Sequence, residues 1–251
     1  MDPALSRIIH VEDYVNLGLD MEIDLGDSQI LGTIMPDSLK EELRVHLNNL
    51  YAGEKEGVGI RREWLNNAQR KLPCGTMGCF MRKSKDDNYS SCREDRFGAR
   101  GSLFSTLHKL CSGFGAFFQM KFPQVWNEIR NNNAKEGWST PSFLHHEHIC
   151  SPRIFITDCI GNESHKDFHD IGPCVVFWIK ESPEDEESDW QFIFEAVSTG
   201  EGDCKRDLLT IQINDGLVLV FDGRKVRHCT SIPDPNSKRK YAVYHGASKV
   251  R

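Results

Sequence analysis

Leu208-Leu209-Thr210-Ile211-Gln212-Ile213, Asn214-Asp215-Gly216 and Leu217-Val218-Leu219-Val220-Phe221 follow one another without a break. Both apolar runs have strand length, and β-branched residues recur in them. The polar triplet between them reads as a tight turn joining two strands. The same texture repeats outward from this pair. Apolar runs at 153–157, 174–180, 190–196 and 241–244 alternate with polar breaks. Six or more short strands at this spacing predict a β-sandwich or barrel from about residue 150 onward.

The first half reads differently. Ser38 and Glu41 stand at capping-box spacing behind Pro36, and Leu39, Leu43, Leu47 and Leu50 recur near the helical period. This predicts an amphipathic helix over 38–51 that packs on the core. Residues 122–130 read as a helix entered through Pro123 and ended by Asn131-Asn132-Asn133. A strand is expected at 29–34. Residues 52–100 are rich in glycine, cysteine and charge with poor periodicity, and 102–121 are apolar with glycines. The expected class is α+β: a helical and loop-rich N-terminal support with a basic segment over 1–139, and a jelly-roll core over 140–251.

The composition bounds the function. With 39% hydrophobic and 10% aromatic residues the chain can bury a real core. Its net charge of −6 argues against a protein that coats nucleic acid or anionic lipid. The charge is uneven, however. Residues 54–130 hold 14 Lys and Arg against 8 Asp and Glu, and the remainder nets −12. Arg82, Lys83, Lys85, Arg93, Arg96 and Arg100, with Tyr89 and Phe97 among them, suit phosphate contact and base stacking, although a solvated face accounts for them too. No apolar run reaches the ~18 residues of a membrane span. Residues 1–20 lack an apolar signal core, and the nine cysteines are irregularly spaced. Reduced thiols in an intracellular protein, nuclear or cytoplasmic, are expected.

His165-Lys166-Asp167 carries the chemistry. On an extended segment the two ligand-type side chains share a face. His228 lies beyond the strand 217–221 and the turn Asp222-Gly223-Arg224, so a distant part of the chain must fold back to meet them, as a jelly roll allows. Two histidines and one carboxylate can hold Fe(II) on one face and leave the other open. Further on, Lys238-Arg239-Lys240 precedes the last strand. An oxygenase that uses a keto-acid needs a fixed cation for the remote carboxylate, and the planar fork of arginine suits it. Arg239 is the candidate, with Lys238 or Lys240 as alternatives.

Together, His165-x-Asp167, the segment from Gly216 to Gly223 leading to His228, and Arg239 resemble the Fe(II)/2-oxoglutarate-dependent dioxygenase superfamily over roughly 150–248. The string Asn162-Glu163-Ser164-His165-Lys166-Asp167-Phe168-His169-Asp170 is similar to the H-x-D-x-x-D/N pattern of its TET/JBP-like branch, whose members oxidise the methyl group of a pyrimidine in nucleic acid. The interval from His228 to Arg239 is nearer the prolyl-hydroxylase and AlkB-like pattern. The resemblance implies a double-stranded β-helix core. It implies that His165, Asp167 and His228 bind Fe(II), that Arg239 holds 2-oxoglutarate, and that molecular oxygen is consumed. It also implies C–H oxidation, with DNA or RNA as the leading substrate. A protein side chain or a small metabolite under the same chemistry is one alternative. A non-catalytic jelly-roll binding module is the other. His169 and Asp170 either orient the metal ligands, touch substrate or serve the fold.

Two other constellations hold ligand-type residues. His145-His146-Glu147-His148 is dense in ligands but has no second half nearby. Cys74, Cys79 and Cys92, with His108 or Cys111, could hold zinc, although zinc sites more often show two close pairs.

Overall fold

The structure is a computed structural model. It describes residues 7–26, 28–54, 76–79, 81–83, 90–92, 101–135, 148–151, 154–158, 161–184, 190–197, 206–231 and 240–248. In chain order the elements are β1 (Arg7–Ile9), α1 (Val11–Asn16), β2 (Met21–Asp24), β3 (Gln29–Ile34), α2 (Asp37–Glu54), β4 (Thr76–Cys79), β5 (Met81–Lys83) and β6 (Ser90–Cys92). There follow α3 (Gly101–Lys121), α4 (Pro123–Lys135), β7 (Ile154–Asp158), β8 (Asp170–Lys180), β9 (Gln191–Val197), β10 (Arg206–Gln212), β11 (Leu217–Phe221), β12 (Arg227–Thr230) and β13 (Lys240–Ser248).

Strand β8 explains the layering. Its run Cys174-Val175-Val176-Phe177-Trp178-Ile179 is apolar at every position, the pattern of a strand covered on both faces. Val175, Phe177 and Ile179 join Leu43, Leu47 and Leu50 of α2, Leu110 and Phe114 of α3, and Trp126 and Ile129 of α4. Cys174, Val176 and Trp178 face the other way, against Phe192 and Phe194 of β9 and Ile211 of β10. Side chains buried this way contribute about 1.5–3 kcal/mol each. The result is three layers: helices, a seven-stranded sheet in the order β2-β3-β11-β8-β13-β7-β4, and a four-stranded sheet in the order β1-β10-β9-β12. A separate hairpin joins β5 and β6. Among the described residues no helix is long and apolar enough to cross a membrane.

Several expectations change. Asn214-Asp215-Gly216 is a turn, but β10 and β11 belong to different sheets, so it switches the chain between layers rather than closing a hairpin. Residues 101–121, left without an element by the sequence, form α3. Leu107, Leu110, Cys111, Phe114 and Phe118 line its buried face, and Gly115 lets the chain cross it, because a Cβ there would lie 1.7 Å from the His148 carbonyl oxygen. The three asparagines do not end α4, which continues to Lys135. Asn133 is buried and its amide nitrogen donates to the carbonyls of Ile129, within the helix, and Cys150, beside it. The sheets also cross the boundary expected at 139/140. β2 and β3 extend the large sheet through β11, and β1 pairs in parallel with β10.

One end of the β8–β11 pair is sealed by charge. Arg44 of α2 is buried; its Nε donates to the Lys180 carbonyl at 3.0 Å and its Nη2 meets Asp215 Oδ2 at 2.7 Å. Asp215 Oδ1 in turn accepts from the Lys180 amide at 2.8 Å. Helix, strand end and sheet-switching turn are thus locked together.

Candidate metal centre

The predicted ligands meet at the opposite end of β8 and β11. His228 does not sit in a loop after β11; it has its own strand, β12, antiparallel to β9 with His228 opposite Phe194. The segment carrying His165 lies against the outer edge of β12. His165 and His228 exchange both backbone hydrogen bonds, at 3.0 and 2.9 Å. The pairing extends through Asn162, whose amide donates to the Thr230 carbonyl and whose Oδ1 accepts from the Thr230 amide. Arg227 spans the outside, donating to the Ser164 carbonyl at 2.6 Å and pairing with Glu195 of β9 at 3.4 Å. Asp167 is placed from another direction, its amide donating to the Gly223 carbonyl at 2.9 Å.

These constraints bring the three side chains together. Asp167 Oδ2 lies 3.3 Å from His228 Nε2, and Oδ1 lies 3.7 Å from His165 Nε2. One ligand atom from each residue lies within 4.8 Å of the others. Among the described residues this is the one group of three or more side chains able to hold a metal ion. The donor set fits. The Nδ1 of His165 is 2.8 Å from the Glu163 carbonyl, and the Nδ1 of His228 is 3.1 Å from that of Val226. A carbonyl can only accept, so each Nδ1 donates to it and each Nε2 is left as the atom that can take a metal ion.

Neighbouring residues close the inner side. The His228 ring lies against Phe221, 4.8 Å between centroids, and Phe192, 5.6 Å. His165 and Asp167 remain partly open to solvent. Cys174 lies beneath, its thiol donating to the Phe221 carbonyl. Burial, and then the nearby Asp170 and Asp167, push that thiol well above its usual range, so it stays protonated and unreactive. Asp170 is buried and accepts from the Tyr244 hydroxyl of β13.

Gly223, which the sequence places in the turn and the motif segment before His228, is a residue on which the site depends. A Cβ there would lie 2.7 Å from Asp167 Oδ2, so only glycine leaves room for this carboxylate. The signal for this was its place in the Asp222-Gly223-Arg224 turn before His228. Arg239 and Lys238 lie outside the described residues, and Lys240 is described only as the first backbone position of β13. Cys74 and residues 145–147 also lie outside. Cys79 and Cys92 belong to β4 and β6, His148 meets Gln119 through Nδ1 at 2.9 Å, and Cys111 is part of the helical core. Arg82 and Lys83 are placed only by the backbone of β5; Lys85, Tyr89, Arg93, Arg96, Phe97 and Arg100 lie outside.

No protein-family model matches the chain, and no curated protein is similar to it in sequence. Among solved structures, NgTET1 in complex with 5mC DNA is similar at 14% identity and a TM-score of 0.55, covering 98% of this chain and 83% of that one. A 2OG-Fe(II) oxygenase-family oxidoreductase from Burkholderia pseudomallei is similar at 12% identity and a TM-score of 0.44, covering 98% and 100%. OsALKBH1 is similar at 12% and 0.43, covering 90% and 99%. At these identities the likeness is one of fold, and the first comparison carries it. The expected mixture of helices and β-sheets is what the chain shares with that structure.

Proposed function

We propose that this chain is an Fe(II)/2-oxoglutarate-dependent dioxygenase on a double-stranded β-helix core, acting on a methylated base in nucleic acid in the manner of the TET/JBP-like branch. The observation that carries the chemistry is the meeting of His165, Asp167 and His228 at one end of the two-sheet core, with both Nε2 atoms and a carboxylate converging. This is the donor set that non-heme Fe(II) takes. Iron held there would supply oxygen activation, coupled to oxidative decarboxylation of 2-oxoglutarate to succinate and carbon dioxide, for oxidation of a substrate C–H bond.

The protein's own residues do the rest. The carbonyls of Glu163 and Val226 hold the imidazoles in the liganding tautomer. Phe192 and Phe221 keep water from the inner side of His228. The cation for the keto-acid is assigned to the 238–240 segment. Along β13, Tyr241 and Val243 pack toward the helices, whereas Ala242 and Tyr244 pack toward the space between the sheets. Arg239 is the candidate, with Lys238 and Lys240 as alternatives. Two observations support the substrate class. The NgTET1 structure of similar fold is a complex with 5mC DNA, and the 54–130 segment carries a net positive charge.

The test is anaerobic titration of the iron-loaded protein with 2-oxoglutarate. A weak visible charge-transfer band that saturates in the wild type and is absent in Asp167→Ala is the expected result. A folded, iron-loaded wild type that shows no band removes the oxygenase reading and leaves the binding module.

A further inference from the structure

Phe168 directly follows the proposed metal ligand Asp167, and its side chain is 73% exposed. Among the described residues it is the one aromatic ring among the exposed large hydrophobic side chains. Its backbone is nonetheless tied down. The Asp170 amide donates to the Asp167 carbonyl at 3.0 Å, which makes residues 167–170 a tight turn with Phe168 and His169 at its centre. The Phe168 amide donates to the Lys166 carbonyl at 3.1 Å. Both corners are anchored as well: Asp167 by the Gly223 carbonyl and Asp170 by the Tyr244 hydroxyl. Turn centres ordinarily take Gly, Pro, Asn, Asp or Ser. A phenylalanine there does nothing for the turn and buries little of itself, so the fold does not account for it.

Lysine and arginine side chains stand near it alongside the carboxylates of Asp167, Asp170 and Asp222. The turn of Asp222, Gly223, Arg224 and Lys225 lies against the 167–170 turn through the Gly223–Asp167 contacts. Arg224 is exposed, and among the described residues its guanidinium has no ion pair; Lys225 pairs with Asp222 at 3.8 Å. Lys166 adds a further cation next to the ligand.

We infer that Phe168 is a preformed stacking platform at the rim of the metal centre. It takes the flat face of a substrate base while Arg224 meets a flanking phosphate. This deepens the proposed function and rests on its nucleic-acid reading. Stacking suits an exposed ring on a fixed backbone, because little order remains to be imposed when the substrate arrives.

The experiment measures binding without turnover, under anaerobic conditions, by fluorescence anisotropy of a labelled single-stranded oligonucleotide carrying 5-methylcytosine. Phe168→Ala is expected to weaken affinity by about 5- to 150-fold, the span of one base–aromatic contact. Phe168→Trp retains affinity, and Phe168→Leu, which keeps apolar area but has no π-face, stays weak. Arg224→Ala lowers the slope of log affinity against log salt by about 1. An alanine variant within twofold of wild type overturns the inference. So does full rescue by leucine, and so does a wild type that binds no oligonucleotide. The oxygenase reading is judged separately by the keto-acid band, so the two fail independently.

Discussion

The two ends of the β8–β11 pair are built for opposite purposes. At the Lys180 end, a buried guanidinium, a carboxylate and backbone groups satisfy one another. At the Cys174 end, backbone hydrogen bonds position two imidazoles and a carboxylate so that their ligand atoms face each other. Polar groups stabilise the first end by pairing. At the second, the fold brings a carboxylate and two lone-pair donors together, an arrangement that a cation rewards. The comparison separates stability from function along a single pair of strands.

Asp167→Ala tests that separation most severely. Iron retention should be lost entirely, while the circular dichroism of the sheets stays as in the wild type. Equal iron content in the two proteins would remove the site assignment. At the other end, Arg44→Ala leaves Asp215 without its cation, and loss of one partner of a buried pair costs about 3–5 kcal/mol. Denaturant unfolding should show this loss with metal affinity unchanged in the protein that remains folded. A loss under 1 kcal/mol would mean that water replaces the guanidinium and that the end is not sealed.

His245 sharpens the contrast between buried and liganding histidines. It lies on the helical face of β13 against Phe114, with its Nε2 unpartnered, and burial lowers its pKa to about 4. The unfolded chain takes up a proton near pH 6.5, which the folded protein refuses until about pH 4. Stability is therefore fully present above pH 6.5, falls by about 3 kcal/mol as the pH drops through that window, and then levels. His245→Phe should flatten this difference relative to the wild type when unfolding is followed at pH 7 and pH 4.5. An unchanged slope would assign the pH dependence elsewhere.

The smallest effect is expected at Gly223. An alanine there pushes on the Asp167 carboxylate, so Gly223→Ala should weaken metal binding by about 10- to 100-fold, as loss of an orienting contact does, with the melting temperature nearly unchanged. Undiminished affinity would show that the carboxylate reorients freely.

Much of the site was legible locally. The H-x-D spacing and a later histidine specify ligand chemistry without reference to the fold, and the apolar runs of β8 and β11 announce strands through composition. Helix α3 was not legible, because its pattern is interrupted by glycines, of which Gly115 answers to a close crossing at His148. Strand β12 was not, because Arg227-His228-Cys229-Thr230 is too short and polar to read as one. Phe168 was passed over, since exposure is a property of the folded surface.

By itself, then, the sequence determined which residue types recur with which period, and which side chains can bind a metal. These depend on chemistry and on neighbours along the chain. Only the tertiary structure decided that Asn214-Asp215-Gly216 switches sheets, that residues 7–34 complete both sheets, and that Gly223 meets Asp167. Each of these is a contact between distant segments. Its free energy comes from burying surfaces that no local window contains.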